Sequence, residues 1–316
     1  MSKLKGLLLT EGMHGMISQV EGLAKALDLD FIHEKIELNN FWKMIPPKFT
    51  PVQDFVFKNK IVNDFNIVIS CGRKSVIPSI YLKKKLKRKI LSIHIQDPKV
   101  SLGNFDYIVA PEHDGLFGSN VLQSKGAIHY LRDDELNENK TYLKSQINKE
   151  KVVSFIVGGP NKYYNYEDSL IDVIFSKVKK NFIENDYQLI FIPSMRTPKN
   201  IINKAKEYFD HNQIIIQDID KKAYLSSLEL ADHIVVTCDS TSMISEAAMT
   251  GKPIYVAQMP NVKKNARFQK FFELFESLNI IRNLENSVEK WNYKKLNETD
   301  RISSYIKDQL KNYDFS

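Results

Sequence analysis

The sequence has 316 residues, of which 43% are hydrophobic and 26% are charged. This composition fits two globular domains of ordinary size, and it excludes disordered, collagen-like and low-complexity chains. Lys and Arg total 45 against 38 Asp and Glu, which gives a formal net charge of +7.

The sequence shows no sign of export or of membrane insertion. No apolar run approaches the ~18 residues that a membrane-spanning helix needs, and the first apolar stretch is too short for a signal peptide. Cys71 and Cys238 are the only cysteines, which excludes a disulfide framework and a cysteine-based zinc site. We therefore expect a cytoplasmic protein.

Short β-branched runs alternate with helical patterns in the first half of the chain. Such alternation is typical of a parallel sheet with crossover helices. The pattern predicts strands at 6–10, 30–33, 66–70, 89–94 and 105–110, with helices at 16–27 and 75–86. We interpret residues 1–135 as one βαβ-type domain.

The stretch 133–151 is polar and charged, no strand fits it, and it is interpreted as a connection between the two domains. The alternation then restarts in the second half. Strands are predicted at 152–157, 188–192, 213–216, 233–237 and 253–256, and helices at 168–185, 199–209, 223–231 and 242–249. Residues 136–316 therefore form a second doubly wound α/β domain, whose last helices either stay with it or pack back on the first. Two such domains facing a cleft are the predicted architecture.

Ligands bind at the carboxyl ends of parallel strands, so the residues after each strand are candidate site residues. After the first strand, Gly12 and Gly15 let a ligand approach the backbone at a helix N-terminus. Glu11 and His14 in the same loop are candidate acid–base groups. Arg73 follows the third strand; it either grips a phosphate or carboxylate, or is an exposed cation at a helix start.

Three further groups follow the last two strands of the first domain. Asp97 ends one strand, and the pair Glu112 and His113 ends the next. They form either an acid–base cluster or a set of ordinary turn residues, because Asp, Glu and His are common in turns.

The turns of the second domain favour an anion site. Gly158 and Gly159 end its first strand, Arg196 follows its second, and Ser240, Thr241 and Ser242 open a helix after its fourth. Hydroxyls and backbone N–H groups at a helix N-terminus can hold a diphosphate, with Arg196 as the cation. Glu246, one turn further along, is placed to accept hydrogen bonds from ribose hydroxyls. The alternative is an ordinary helix-capping turn.

The basic run 83–89 contains six cations in seven residues. It is either a solvated helix C-terminus, where the helix dipole favours cations, or a contact with an anionic membrane. No nucleic-acid-binding signature accompanies it, so we predict no nucleic-acid partner. Since metal-ligand motifs are also missing from the sequence, we predict no metal and no required cofactor.

The string from Asp239 to Val256 resembles a bacterial family related to the plant mitochondrial fission protein of the elongated-mitochondria type. The resemblance covers nearly the whole chain in order. Its other motifs are Gly12, Gly15 and Gln19; Gly72-Arg73; Asp97-Pro98; Phe105-Asp106; Pro111-Glu112-His113-Asp114; Gly126-Ala127-Ile128-His129; Gly158-Gly159-Pro160-Asn161; Pro193-Ser194-Met195-Arg196-Thr197-Pro198; and Arg267-Phe268. The sequence departs from the family pattern at Met13 and Met195, where a basic residue is usual.

This family looks like GT-B glycosyltransferases, with two Rossmann-like domains. The resemblance implies a nucleoside-diphosphate sugar held mainly by the second domain, with phosphates on Arg196 and the 240–242 turn and ribose on Glu246. It also implies acid–base work by Asp97, Glu11 or the Glu112–His113 pair, and an acceptor at the inner face of a membrane. The alternatives are a non-catalytic scaffold, as the plant relatives' role in recruiting fission machinery suggests, and a nucleotide-sugar epimerase.

Overall fold

The computed structural model describes residues 3–61, 64–86, 89–285, 287–313 and 315. The chain divides into two compact units. Unit 1 consists of Met1–Tyr130 and Asn297–Ser316, and unit 2 consists of Leu131–Leu296.

Unit 1 is built on a six-stranded parallel sheet with the order β2-β1-β3-β4-β5-β6. Its strands are β1 (Lys5–Thr10), β2 (Asp30–Lys35), β3 (Ile67–Cys71), β4 (Leu91–Ile95), β5 (Tyr107–Pro111) and β6 (Val121–Ser124). Its helices are α1 (His14–Ala26), α2 (Asn40–Met44), α3 (Val76–Lys85) and α10 (Glu298–Leu310).

The core of unit 1 follows from its sequence periodicity. Val20, Leu23, Ala24 and Leu27 recur at the spacing of one helix face, so α1 buries an apolar stripe. The stripe packs on the central strands, where β3 and β4 are buried along their whole length. Strands covered on both faces read as continuous apolar runs, which is why the sequence predicts them well.

Helix α10 returns to unit 1 at the end of the chain. Ile302 and Ile306, one turn apart, join the core between the sheet and α1. At its start, the Thr299 hydroxyl donates to the carbonyl oxygen of His129 at 2.8 Å, and the His129 N–H donates back to that hydroxyl at 3.0 Å. A Glu298 carboxylate oxygen accepts from the N–H of Lys125 at 2.8 Å. Buried apolar contacts and reciprocal hydrogen bonds thus fix the helix on unit 1.

Unit 2 has a second six-stranded parallel sheet, with the order β12-β11-β10-β7-β8-β9. Its strands are β7 (Lys151–Val157), β8 (Tyr187–Pro193), β9 (Ile214–Ile215), β10 (His233–Thr237), β11 (Ile254–Ala257) and β12 (Ile281–Asn283). Its helices are α4 (Asp133–Asn139), α5 (Asp168–Asn181), α6 (Lys199–Tyr208), α7 (Lys221–Leu230), α8 (Thr241–Ala248) and α9 (Ala266–Ser277). The predicted α/β class with two doubly wound parallel sheets is confirmed.

The stretch 133–151, interpreted from the sequence as a connection between domains, contains a helix, because α4 begins at Asp133. Its first turn holds Asp133, Asp134 and Glu135, and acidic residues at a helix N-terminus are stabilised by the helix dipole. Leu136 and Leu143 are buried, and the N–H of Leu143 donates to the Ser226 hydroxyl of α7 at 3.1 Å. A few apolar side chains therefore order a stretch that looks polar throughout.

Two strands escape prediction because both are short and lie at an edge of their sheet. Strand β6 has only one buried residue, Ser124, and β12 is only three residues long. Neither carries the apolar run that marks a strand covered on both faces.

Candidate functional site

The site in unit 2 lies at the point where the sheet reverses its strand order. The chain runs from β7 outward to β8 and β9, and then crosses back to place β10 on the other side of β7. Ligands of open parallel sheets bind at such a switch point, outside the carboxyl ends of the two central strands. The turns that leave β7 and β10 there contain Gly158, Gly159 and Asp239.

Asp239 is the centre of this cluster, and its side chain is fully buried. One carboxylate oxygen accepts from the Arg196 guanidinium at 2.6 Å and from the N–H of Gly159 at 3.2 Å. The other accepts from the Thr237 hydroxyl at 2.7 Å and from the Tyr166 hydroxyl. Four donors therefore compensate the loss of water around the buried charge.

Gly158 and Gly159 are required by contacts within the protein. A Cβ on Gly158 would lie 2.2 Å from an Asp239 carboxylate oxygen, and a Cβ on Gly159 would lie 1.9 Å from the carbonyl oxygen of Arg196. Both distances are far below van der Waals contact, so a larger residue would force the turns apart. The glycines let the β7 turn pack directly on the turns that follow β8 and β10.

The Arg196 guanidinium is hydrogen-bonded along one edge and is open to solvent along the other. Besides Asp239, its guanidinium donates to the carbonyl oxygen of Gly159 at 2.7 Å, while its side chain is 37% exposed. The described hydrogen bonds use two of the five N–H donors that a guanidinium carries. The carboxylate thus orients the arginine, and the remaining donors can contact an anion from solvent.

Helix α8 begins two residues after Asp239, the carboxylate that pairs with Arg196. Ser240 caps the helix, and its hydroxyl accepts from the N–H of Met243 at 3.4 Å. Thr241 and Ser242 are half-buried, and the first N–H groups of a helix have no acceptor within the helix. Their hydroxyls and N–H groups provide the type of N-terminus that binds phosphates.

Glu246 lies half-buried one turn into α8. One of its carboxylate oxygens accepts from the Tyr224 hydroxyl of α7 at 2.7 Å. This hydrogen bond fixes the Glu246 carboxylate against helix α7. The structure therefore gives Glu246 a partner within the protein that the sequence did not indicate.

Burial keeps the polar side chains beneath the site in their neutral forms. Desolvation and the nearby Asp239 raise the pKa of Tyr166, so its hydroxyl remains a donor to that carboxylate. Desolvation also raises the pKa of Cys238 to about 12. A thiol is nucleophilic only as its thiolate, so the raised pKa makes Cys238 a weak candidate for a nucleophile.

Unit 1 has a switch point of its own, between β1 and β3. Glu11 follows β1, and its carboxylate accepts from the Lys74 N–H at 3.1 Å and pairs with the Lys74 ammonium at 2.8 Å. Gly12 and Gly72 both have positive φ, of 83° and 90°, a conformation that favours glycine. A Cβ on Gly72 would lie 2.6 Å from the Met16 sulfur. The two turns are therefore joined through Glu11 and Lys74.

The other predicted residues at these two turns lie at the surface. His14 is exposed at the start of α1, and Gly15 beside it has open space where a Cβ would be. The Arg73 guanidinium donates to the carbonyl oxygen of Lys43 and, at 3.4 Å, to that of Ile45. These bonds favour the structural alternative for Arg73, since its described donors serve the end of α2.

Asp97, Glu112 and His113 follow β4 and β5, as expected from the sequence. The Asp97 carboxylate closes a turn by accepting from the N–H of Lys99 at 2.8 Å, and it pairs with the ammonium of the same lysine. Glu112 is exposed, whereas His113 is buried with its ring 3.7 Å from Asp114. Among the described residues, no hydrogen bond or ion pair joins Glu11, Asp97 and Glu112 to one another. Their assignment as acid–base groups stays a prediction.

Beneath the Asp97 turn, His94 is fully buried in β4 and lies 2.8 Å from the Ser70 hydroxyl through Nδ1. Desolvation lowers the pKa of His94 to about 3. Between pH 6.5 and about 3 the unfolded chain binds a proton at this ring that the folded protein does not bind. We therefore expect the free energy of unfolding to fall by up to about 1.4 kcal/mol for each pH unit below 6.5.

This slope can be measured by urea unfolding of the wild type and of His94→Asn between pH 6.5 and 4. The variant should lose that part of the slope. Ser70→Ala removes the hydrogen bond but leaves the ring buried, so it should keep the slope. Equal slopes for the wild type and His94→Asn would show that His94 does not titrate as described.

Sequence reasoning missed the residues that tie each site together, namely Asp239, Tyr166, Lys74 and Tyr224. A signal existed for Asp239, since an acidic residue two positions after a fully buried strand such as β10 indicates a compensated buried charge. The other three pair with residues far away in the sequence, so no local pattern marks them. Within the described residues, no group of three or more His, Cys, Asp or Glu side chains is arranged to hold a metal ion. None of the helices described there has the length and hydropathy to cross a membrane.

Comparisons with known proteins agree with this architecture. The family model described as mitochondrial fission ELM1 matches residues 14–310. The chain is 24% identical to the uncharacterized protein RP120 of Rickettsia prowazekii over 92% of this chain and 95% of that protein. It is 25% identical to the mitochondrial fission protein ELM1 of Arabidopsis thaliana, matching 77% of this chain but 64% of that protein.

The fold is similar to a solved UDP-GlcNAc 2-epimerase from Neisseria meningitidis bound to UDP-GlcNAc. The TM-score is 0.54 at 12% sequence identity, and the match covers 98% of this chain and 100% of that one. At this identity the likeness shows the fold alone, which is of the GT-B type.

Proposed function

The chain belongs to the mitochondrial fission ELM1 family, and from that premise we propose that it is a metal-independent glycosyltransferase of the GT-B type. Unit 2 binds a nucleoside-diphosphate sugar, and the acceptor lies at the inner surface of a membrane. The observation that carries the proposal is Arg196, half-exposed and oriented by the buried Asp239, beside the N-terminus of α8 at a sheet switch point.

The donor phosphates rest on the exposed edge of Arg196 and on the turn 240–242. A guanidinium binds phosphate oxygens through paired N–H donors, and a helix N-terminus adds N–H groups and its dipole. Together they stabilise the negative charge that develops on the diphosphate as the bond to the sugar breaks. A metal ion is not needed for this role, because a positive group is already in place.

The other half of the reaction is removal of a proton from the acceptor hydroxyl. The acceptor oxygen then forms a bond to the anomeric carbon, while the bond from that carbon to the diphosphate oxygen breaks. Asp97, Glu11, Glu112, His113 and His14 are the proposed acid–base groups of unit 1. Carboxylates and imidazole are the side chains that most often accept a proton in such a step.

Two alternatives have different consequences. A nucleotide-sugar epimerase also binds the donor, and it is favoured by the fold of the epimerase with UDP-GlcNAc bound. It would convert the donor without an acceptor. A non-catalytic scaffold needs no donor at all. Donor binding therefore separates the scaffold from both enzymes, and dependence on an acceptor separates the two enzymes.

The proposed ribose contact gives a sharp test. We expect Glu246→Gln to weaken binding of the preferred nucleoside diphosphate about tenfold or more, because a hydrogen bond to a carboxylate is stronger than one to an amide. The wild type should also bind the 2′-deoxy nucleotide more weakly, whereas the variant should discriminate against it less than the wild type does. Calorimetric titration with UDP, GDP, ADP and CDP and their 2′-deoxy forms measures both effects.

Tyr224→Phe is the matched control, since it removes the hydroxyl bound to Glu246 but keeps the carboxylate. It should retain the discrimination against the 2′-deoxy form. If Glu246→Gln discriminates as well as the wild type does, Glu246 does not contact the ribose.

A further inference from the structure

Four large apolar side chains of unit 1 are exposed within a stretch of fifteen residues. Phe41, Met44, Phe49 and Phe55 are between 56% and 82% exposed. We call this set the apolar patch. Single exposed apolar residues are common on soluble proteins, but a cluster indicates an interaction site.

Trp42, which is half-buried, lies among three members of the apolar patch, Phe41, Met44 and Phe55. Its ring centroid is 4.8 Å from that of Phe41 and 6.1 Å from that of Phe55. Met44 lies three residues after Phe41 in α2, and side chains at that spacing share a helix face. Trp42 therefore joins the exposed rings of Phe41 and Phe55, and it also packs on the core of unit 1.

The backbone that carries the apolar patch is held in place at several points. Arg73 donates to the carbonyl oxygens of Lys43 and Ile45. The Asn39 amide donates to the carbonyl oxygen of Phe55 at 2.5 Å, and the Thr50 hydroxyl donates to that of Pro46 at 3.0 Å. The apolar side chains thus project from an ordered segment.

The surroundings of the apolar patch are basic. Between residues 40 and 60 the sequence contains four lysines, Lys43, Lys48, Lys58 and Lys60, and one acidic residue, Asp54. The Lys48 ammonium lies 5.7 Å from the centre of the Phe49 ring. The segment that carries the apolar patch is therefore net positive, and one of its lysines lies over an exposed ring.

The basic C-terminus of α3 borders the same surface through Tyr81. The Tyr81 hydroxyl donates to Asp54 at 3.3 Å, and the Lys85 ammonium lies 5.2 Å from the centre of the Tyr81 ring. Lys83 pairs with Asp106 at 2.8 Å, while Lys84 and Lys85 are exposed. Residues 87 and 88 of the predicted basic run lie outside the described residues. The part that is described extends the positive surface beside the apolar patch.

We propose that the apolar patch and its lysines dock unit 1 on the surface of an anionic lipid bilayer. Exposed aromatic and methionine side chains insert at the level of the headgroups, while lysines around them contact lipid phosphates. A second copy of this chain fits less well. A symmetric interface would bring the same lysines of both copies together, and like charges across an interface repel.

Vesicle flotation of the full chain tests the proposal, and it needs no nucleotide. The protein should float with vesicles of phosphatidylcholine and phosphatidylglycerol and remain behind with phosphatidylcholine alone. Added salt should release the protein, because it screens exposed charges. Phe41→Ser combined with Met44→Ser should reduce the bound fraction about tenfold or more.

Val173→Ser combined with Ile219→Ser is the matched control, since these residues are apolar and similarly exposed but lie in unit 2. It should bind vesicles as the wild type does. The proposal would be overturned if the two double variants lost vesicle binding equally, or if the wild type did not bind anionic vesicles. In the second case the occupant of this surface would be a protein.

Tryptophan fluorescence gives an independent measurement, because quenching by lipid reports which part of the bound protein contacts the bilayer. The chain has two tryptophans, Trp42 in the patch and Trp291, which is buried in unit 2. Brominated anionic lipid should quench the wild type, and Trp42→Phe should remove that quenching while vesicle binding persists. Quenching that is unchanged in Trp42→Phe would contradict insertion of the apolar patch.

Discussion

Asp239→Asn is expected to lower the free energy of unfolding of unit 2 by about 3 kcal/mol. The wild-type carboxylate is fully buried and accepts hydrogen bonds from Arg196, Gly159, Thr237 and Tyr166. Asparagine has nearly the same shape but carries no charge, and its amide nitrogen can only donate. If the amide nitrogen replaces the oxygen beside Arg196, it faces the N–H donors of Arg196 and Gly159, and no hydrogen bond forms there.

The loss should fall short of the largest effects seen for broken buried ion pairs, because the partner arginine is partly exposed and can be hydrated. Tyr166→Phe removes one of the four donors and should cost about 1 kcal/mol. Asp186→Asn, at an exposed position, should change the stability by less than about 0.5 kcal/mol. Urea unfolding followed by circular dichroism measures all three, with the unit 2 transition analysed by itself. Wild-type stability in Asp239→Asn would show that this carboxylate does not hold the turns together.

Arg196→Ala is expected to weaken binding of the nucleoside-diphosphate sugar about 10- to 100-fold. The substitution removes the guanidinium that pairs with Asp239 at the switch point of unit 2, while the α8 N-terminus remains. Arg196→Lys should restore little of the affinity, since an ammonium cannot contact Asp239, Gly159 and a phosphate with the geometry of a guanidinium.

The control for this experiment must separate binding from folding. Arg196→Ala leaves Asp239 with three described donors, so circular dichroism and thermal unfolding should first establish that the variant is folded at the titration temperature. Arg132→Ala removes an exposed arginine of the same unit and should leave the affinity unchanged. If folded Arg196→Ala binds the donor as tightly as the wild type does, the phosphates do not contact this residue.

The central strands could be predicted because a strand that is buried on both faces is a continuous apolar run in the sequence. Strands β7, β8 and β10 are apolar along nearly their whole length, and the sequence places all three. Edge strands such as β12 are half-exposed and short, so local composition does not distinguish them from loops. Helix α4 was missed for a related reason, since it buries one leucine beneath a polar surface.

The position of each candidate site could also be predicted, but its internal contacts could not. Parallel topology alone brings the turns after β7, β8 and β10 together. The partners of Glu246 and Glu11 depend on how helices and turns pack, because Tyr224 is 22 residues from Glu246 and Lys74 is 63 residues from Glu11. For the same reason the sequence did not decide between the two roles considered for Arg73, and only the structure shows its hydrogen bonds to the end of α2.

The central claim is that unit 2 binds a nucleoside-diphosphate sugar at the carboxyl ends of β7, β8 and β10. Titration calorimetry of the full chain with UDP-, GDP-, ADP- and CDP-sugars tests it most directly. We predict saturable binding of at least one of these donors below about 1 mM, a usual range for enzyme substrates, and its loss in Arg196→Ala. Failure of every donor to bind the folded wild type at that concentration would contradict the account and favour the scaffold.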